Sequence, residues 1–175
     1  MTEICYDTEF IEDGRTIDLI SIGMVAGEGR EYYAVNSEMP VKRIFAHKWL
    51  MDNVVPSLPV KDAHSEQLIR VDVTRTEVKP HQVIANEVRD FILAVPDPQL
   101  WADYAAYDHV VLCQLWGTMI RLPAGIPMWT HDLRQAAEKA GGPELPPMPG
   151  VTEHNALSDA REVAFRLRGL TGLAR

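Results

Sequence analysis

The chain has 175 residues, of which 46% are hydrophobic and 24% are charged, a composition that is ordinary for a single globular domain with a real core. It has no apolar run long enough to span a bilayer, and the N-terminal sequence MTEICYDTEF lacks the basic and then apolar profile of a signal peptide, so we expect a cytoplasmic protein that does not bind membranes. The only cysteines, Cys5 and Cys113, lack the spacing of a zinc site and lie in apolar sequence, which predicts two reduced, buried thiols.

The excess of acidic residues bears on whether the protein binds nucleic acid. The formal net charge is −8 at pH 7. A protein that binds nucleic acid by neutralising phosphates usually presents a basic patch, so the charge at first disfavours that partner. An enzyme that gathers carboxylates to bind Mg²⁺ is acidic by count and still presents cations to its substrate. Composition alone therefore leaves the substrate open.

The predicted elements indicate an α/β fold. Three alternating apolar segments, 3–10, 17–26 and 30–36, are separated by turn sequences and predict an antiparallel three-stranded meander. Helices are expected over 41–51 and, after a stretch broken by prolines, over 80–94. From residue 99 the pattern is strand, helix, strand, helix, over 99–104, 107–119, 128–130 and 132–140; an extended, proline-rich loop at 141–150 precedes a last helix over 155–170. Residues 1–175 are thus expected to form one domain, a mixed sheet of the meander plus parallel strands, flanked by helices.

Asp7 and Glu9 are the first candidate site residues. Side chains alternate across a strand, so these two carboxylates share one face of the first strand, about 7 Å apart along it. Like charges at that spacing repel each other and resist burial unless a cation lies between them. Taken alone, however, Asp-x-Glu is common, and a solvated polar face of an edge strand is the favoured interpretation.

Asp108 begins the apolar stripe of the helix predicted at 107–119. It precedes Val111 by three residues and Leu112 by four, which places it on the inward side of that helix. A carboxylate there needs a partner, although a lone Asp near a helix start more often caps the helix or complements its dipole. Asp103, at the end of the preceding strand, is a further acid whose role the pattern does not define.

His154 and Asp159 open the last predicted helix. Asp159 lies beside Val163 on the buried stripe, and His154 stands just before the helix, where it can lean toward whatever Asp159 holds. A general base has this relation to a metal-bound water. A helix capped by Asn155, with His154 in a mobile loop, explains the same residues equally well.

In this order the three signals resemble one family. DTEF, YAAYDHVVL and HNALSDAREVA resemble the three motifs of the DEDDh 3'-5' exonucleases, in the RNase T and oligoribonuclease branch of the RNase H-like fold. The resemblance spans almost the whole chain, including the strand IDLISIGMV, and the layout is most similar to that of the actinobacterial polyadenylate-specific exoribonucleases. Two departures bear on substrate preference. Phe10-Ile11 stands where relatives often have Thr-Gly, and Asp103-Tyr104 stands where many have His or Asn ahead of the second Asp.

The resemblance implies roles for these residues. Asp7, Glu9, Asp108 and Asp159 would hold two Mg²⁺ ions, for which Mn²⁺ can substitute, and His154 would act as general base. The implied reaction is release of 5'-mononucleotides from single-stranded RNA or RNA 3' tails, with adenylate-rich ends preferred. Relatives are often homodimers, so a homodimer is implied, while the sequence itself leaves the oligomeric state open.

Phe10 and Tyr107 are candidate substrate-binding residues. Each lies beside a predicted metal ligand, and an aromatic ring is a platform on which a terminal base can stack. Packing in the core explains either residue at least as well.

Three other functions remain open at this point. A DNA-directed proofreading or repair exonuclease would use the same catalytic set. A noncatalytic RNase H-like binding module would have no need of four acids and a histidine. An unrelated metallophosphohydrolase would need further histidine ligands, and the remaining candidates show no paired spacing: His47, His64, His81 and His131.

Overall fold

Three long strands form the centre of the sheet and follow from the alternating apolar sequence of the first 36 residues. In the computed structural model, which describes residues 1–61, 70–151 and 153–173, they are β1 (Thr2–Glu12), β2 (Ile17–Ala26) and β3 (Glu31–Asn36). β1 pairs antiparallel with β2, and β2 with β3. The predicted meander is confirmed.

Short parallel strands extend this sheet on both sides. β6 (Val78–Lys79) pairs with β3, β7 (Pro98–Ala102) with β1, and β8 (His131–Asp132) with β7. The strand order is β6-β3-β2-β1-β7-β8, and a separate pair is formed by β4 (Val60–Lys61) and β5 (Arg70–Val71). β1, which carries two of the candidate acids, therefore lies inside the sheet.

Helices cover both faces of the sheet. In the described residues they are α1 (Val41–Ala46), α2 (Lys48–Asn53), α3 (His81–Leu93), α4 (Ala106–Gln114), α5 (Leu133–Lys139) and α6 (Ala156–Leu173). One core joins α3 and α4 to the face of β1 that carries Ile4 and Tyr6. The opposite face, which carries Cys5, packs against α5 and α6. The mixed sheet between helices confirms the predicted α/β class and is consistent with an RNase H-like fold.

The helix predicted over 41–51 is two short helices instead. The backbone of His47 is extended (φ −100°, ψ 93°), which ends α1, and its Nδ1 accepts a hydrogen bond from the Leu50 backbone N–H at 3.3 Å, which caps α2. Histidine is not among the strongly preferred capping residues, so the break had no clear signal in the sequence.

Three other boundaries were predicted wrongly. The strand predicted over 99–104 ends at Ala102, because Tyr104 takes a left-handed conformation (φ +54°) that a strand cannot contain. The helix predicted over 107–119 ends at Gln114, shortly before Gly117 (φ +87°). The strand predicted over 128–130 is displaced to His131–Asp132, since the parallel register pairs Trp101 with His131.

The expectations about membrane-spanning segments and about the two cysteines can be compared with the fold. Within the described residues, no helix combines the length and the apolar character that crossing a membrane requires. Both cysteines are free thiols; Cys5 is buried as predicted, whereas Cys113, near the exposed end of α4, is only partly buried.

Candidate active site

Asp7 and Glu9 lie side by side on the face of β1 that turns toward α6. Glu9 is buried and Asp7 is partly exposed. A carboxylate oxygen from each approaches one from Asp159 on α6, and the three oxygen atoms all lie within 4.8 Å of one another. Carboxylate oxygens at this spacing are suitable ligands for a hard divalent cation. The structure therefore brings together three of the four predicted metal ligands in one group.

Gly23 allows α6 to come this close to the sheet. It is the β2 partner of Asp7, and a Cβ atom built on it would lie 2.3 Å from the backbone carbonyl carbon and oxygen of Ala156. Only glycine leaves room for that backbone. Asp159, in the first turn of α6, is thereby held next to Asp7.

The side chain of Asp108 is held by hydrogen bonds from Thr8 of β1. β7 pairs with β1 only as far as Cys5, so the β1 backbone beyond that point lacks a strand neighbour on this side. Asp108 Oδ1 takes that place, accepting hydrogen bonds from the Thr8 backbone N–H at 2.9 Å and from Thr8 Oγ1 at 2.6 Å. The buried Asp108 carboxylate is thus anchored beside the three-carboxylate group without belonging to it.

The surroundings of the four acids raise their pKa values and so oppose their ionisation. Burial and the neighbouring carboxylates hold the pKa of Asp7 well above its usual range and raise that of Glu9 to about 8. Burial raises the pKa of Asp108 to about 6 against the two Thr8 hydrogen bonds, and raises that of Asp159 to about 6 against the nearby His154. A bound cation would relieve this repulsion. An oxygen-only donor set fits Mg²⁺ or Mn²⁺ better than zinc or copper.

His154 stands directly before α6 in a strained conformation. Its φ is +60°, a left-handed value that is uncommon for a residue with a side chain. Its carbonyl oxygen lies 2.8 Å from Ser57 Oγ, whose single proton can also be donated to the Val54 carbonyl at 2.9 Å. Its ring meets Trp49 edge to face with centroids 4.9 Å apart. These contacts hold His154 near Asp159, whose pKa it lowers.

Asn155 connects His154 to the helix. Its side-chain oxygen accepts a hydrogen bond from the Ser158 backbone N–H at 3.1 Å, and its amide group lies 3.4 Å from the Tyr33 hydroxyl. Asn155 therefore caps α6, as the alternative interpretation of this motif expects, but His154 has contacts of its own where that interpretation placed a mobile loop.

An aromatic pair borders the acids. The pairing register of β1 with β2 shifts between Glu9 and Phe10, a bulge that redirects the strand at the end of the acidic group. The Phe10 ring stacks on Tyr107 with centroids 5.8 Å apart and planes 7° from parallel. Phe10 also packs against the core, whereas Tyr107 is 59% exposed. The geometry leaves packing and base stacking both open for Phe10.

Asp103 has a structural role that the sequence did not indicate. Its carboxylate accepts hydrogen bonds from Arg134 of α5 at 2.6 and 2.8 Å, and from Arg166 of α6 at 3.1 Å. Arg166 also pairs with Glu162 at 2.7 Å. The network joins the end of β7 to both helices of one sheet face.

The other histidines that the structure describes take no part in the acidic group. Among the described residues, the one group with metal-ligand spacing contains carboxylates alone. His131 bonds Gln99 at 2.9 Å and stacks on Trp101, and His47 caps α2. His64 lies outside the described residues. An unrelated histidine-rich metal site thus has no support in the described part of the chain.

Comparison with known proteins identifies the family. No protein-family model matches the chain. Proteins named 3'-5' exoribonuclease from two Mycobacterium tuberculosis strains, CDC 1551 and H37Rv, are each 46% identical to it over 169 residues. The chain belongs to this 3'-5' exoribonuclease family. The match covers 95% of the chain and 91% of each exoribonuclease, so the relationship extends over nearly the whole length of both.

Proposed function

We propose that the chain, as one exonuclease domain over residues 1–175, is a metal-dependent 3'-5' exoribonuclease of the DEDDh type. The observation that carries the proposal is the group of three carboxylate oxygens within 4.8 Å, from Asp7, Glu9 and Asp159, in a chain of the exoribonuclease family. Asp108 beside it completes the four acids. A noncatalytic binding module would gain nothing from a buried, self-repelling group of this kind.

The proposed cofactor is a pair of Mg²⁺ ions, for which Mn²⁺ can substitute. Asp7, Glu9 and Asp159 would hold one ion, and Asp7 with Asp108 the other. Bound divalent cations supply charge stabilisation for the leaving 3'-oxygen and lower the pKa of water. The protein contributes the placement of the ligand set, because Thr8 holds Asp108 by hydrogen bonds and the close approach of α6 to Gly23 brings Asp159 next to Asp7 and Glu9.

His154 is proposed as the general base. Its place next to Asp159 and outside the carboxylate group suits a residue that accepts a proton from the attacking water and holds no ion. The contacts with Ser57 and Trp49 limit the positions its ring can take, which is what a proton acceptor requires to act along one direction.

The proposed substrate is single-stranded RNA or an RNA 3' tail. Tyr107, exposed and stacked on Phe10, offers a face for a terminal base, and purines stack on such a face more strongly than pyrimidines. The names of the relatives support RNA. Preference for adenylate, a homodimeric state and a cytoplasmic location are further parts of this proposal and come from the family resemblance.

Labelled oligonucleotides test the reaction. Single-stranded RNA labelled at its 5' end should shorten stepwise with Mg²⁺ or Mn²⁺ and remain intact with EDTA, and each step should release a 5'-mononucleotide. RNA labelled at its 3' end should lose its label in the first product. Internal cutting, or loss of a 5'-terminal mononucleotide first, would contradict the proposal.

Homopolymers test the substrate. We expect oligoadenylate to decay faster than oligouridylate and oligocytidylate of equal length, and all three to decay faster than a DNA oligomer. Faster attack on DNA would replace the RNA assignment with a proofreading or repair exonuclease, which the same four acids would serve.

A further inference from the structure

A groove lies next to the candidate active site, between the turn that joins β1 to β2 and the outer side of α4. It encloses about 360 Å³ and is lined by Arg15 and Thr16 from the turn and by Tyr107, Val110 and Gln114 from α4. Tyr107 belongs both to this groove and to the stacked pair with Phe10, and the next residue along the chain is Asp108. The groove therefore borders the aromatic pair whose members stand next to two of the acids in the chain, Phe10 after Glu9 and Tyr107 before Asp108.

The lining combines an apolar wall with a cation. Tyr107 and Val110, one helical turn apart, are 59% and 47% exposed, so that together they present an aromatic and an apolar side chain to the groove. Arg15 is exposed and forms no ion pair with any described residue. Glu12, at the same edge, has its carboxylate directed to the Gly14 backbone N–H at 2.6 Å. Aromatic and apolar surface next to a cation is the usual combination for binding a single nucleic-acid strand.

We infer that this groove binds the one or two nucleotides on the 5' side of the scissile bond of single-stranded RNA. With the terminal base on Tyr107, the base of the first would rest on Val110. Arg15 would meet the phosphate on the 5' side of that nucleotide, and Gln114 would offer its amide to a base edge or sugar. The inference rests on the proposed function. The volume is at the lower end of the roughly 300–1,000 Å³ of pockets that hold small ligands, which suits nucleotides and not a folded partner.

The length dependence of cleavage tests this inference. We compare kcat/KM for diadenylate, which can fill only the active site and the start of the groove, with kcat/KM for hexaadenylate. Arg15→Glu should lower the hexamer-to-dimer ratio about fivefold or more, because diadenylate without a 5' phosphate lacks the phosphate that Arg15 meets. Val110→Asp, as an independent change, should lower kcat/KM for both substrates, because both contain the nucleotide whose base rests on Val110. Arg89→Glu, on the outer side of α3 with its ion pair to the adjacent Asp90, is the matched control and should leave the ratio unchanged.

A binding measurement separates this inference from the proposed function. Anisotropy of fluorescein-labelled hexaadenylate with Ca²⁺ in place of Mg²⁺ should give a Kd that Arg15→Glu raises and Arg89→Glu leaves unchanged. Turnover with an unchanged length ratio in Arg15→Glu and an unchanged Kd in both groove variants would overturn the groove and leave the exonuclease. Weaker binding in the groove variants of a protein that cleaves no RNA would keep the groove and overturn the exonuclease. A wild-type protein that binds no oligonucleotide would overturn both.

Discussion

The four acids combine two properties that ordinarily exclude each other, since Glu9 and Asp108 are buried, Asp7 and Asp159 are partly buried, and all four carry like charge. Burial of a carboxylate is costly unless it is neutralised or paired, and here burial together with neighbouring carboxylates raises the pKa of Asp7 and raises that of Glu9 to about 8. Such an arrangement lowers the stability of the metal-free fold, and it provides ligands for divalent cations.

Asp7→Asn should have opposite effects on nuclease activity and on the stability of the metal-free protein. The change keeps the shape of the side chain and removes one negative charge from the group, so we expect a higher Tm in EDTA than that of the wild type. Nuclease activity should fall by more than the roughly 10- to 100-fold that follows loss of an outer-shell partner of a metal site. Thermal unfolding and RNA decay on the same preparation measure the two effects.

Asp90→Asn, an exposed acid on α3, is the control for this change and should alter neither quantity. Near wild-type turnover of Asp7→Asn in Mg²⁺ would remove Asp7 from the site.

His154→Asn tests the proposed base with little change to the backbone. Asparagine tolerates the left-handed conformation that His154 adopts at φ +60°, so α6 should keep its start. We expect kcat to fall roughly 10²- to 10⁴-fold while metal and RNA still bind, and the acidic limb of the pH-rate profile to disappear. The profile is measured at saturating Mn²⁺, which suppresses titration of the carboxylates themselves. An unchanged profile would take the base role from His154.

The sequence predicted this group because alternation along β1 and helical spacing are local rules. They place Asp7 beside Glu9, and Asp108 and Asp159 on inward stripes, without any knowledge of the fold. They could not supply the hydrogen bonds from Thr8 to Asp108, since these join residues 100 apart in the chain. The same limit hid the contact between Ser57 and His154, whose residues are 97 apart.

At the scale of elements, the close approach of β2 and α6 determines whether the site exists. The strands could be predicted, although counting back from the turn would have placed Ile22 opposite Asp7, because the bulge between Glu9 and Phe10 shifts the register by one residue. The sequence gives no sign, however, of which helix crosses at that point. The shorter α4 and the two-part helix at 41–53 were missed for a different reason, because helical periodicity does not mark the local features that end them, a left-handed Gly117 and a capping His47.

Gly23→Ala should therefore act on the site through the helix. The new Cβ would lie 2.3 Å from backbone atoms of Ala156, which cannot move unless α6 moves with them. We expect a loss of about 1–3 kcal/mol in the free energy of unfolding and a large loss of activity, because Asp159 is carried away from Asp7. Denaturant unfolding and RNA decay test both expectations.

Gly169→Ala provides the comparison within α6 itself. A Cβ at Gly169 meets nothing within 4 Å, so the change should be neutral or stabilise by roughly 0.5–1 kcal/mol. Equal effects of the two substitutions would show that the contact of β2 with α6 is not tight.

For the whole molecule, the raised pKa values make stability depend on pH and on metal. In the folded state Glu9 holds its proton up to a pH of about 8, and Asp108 and Asp159 hold theirs up to about 6, whereas in the unfolded chain all three lose it near pH 4. Between these values the folded state binds more protons than the unfolded state, so stability falls as pH rises. In EDTA we expect the Tm to decrease from pH 5 to pH 8.5.

Divalent cations should reverse this trend. Ions that bind only the assembled, ionised carboxylates stabilise the native state by mass action, and more so at higher pH. With Mg²⁺ or Mn²⁺ at concentrations on the order of millimolar, the Tm should rise and its decrease with pH should be reduced. Melting curves that are identical with EDTA and with Mn²⁺ across the pH range would count against a metal site.

Binding of Mn²⁺ tests the central claim, that the acids of β1, α4 and α6 form a metal centre, without relying on any substrate. Electron paramagnetic resonance of free Mn²⁺ in a titration with protein gives the bound fraction directly. We expect Mn²⁺ bound by the wild type, displaced by excess Mg²⁺, and largely lost in Asp7→Asn and Asp159→Asn but retained in Asp90→Asn. Absence of bound Mn²⁺ in the wild type, or the same binding in Asp7→Asn as in Asp90→Asn, would contradict the claim.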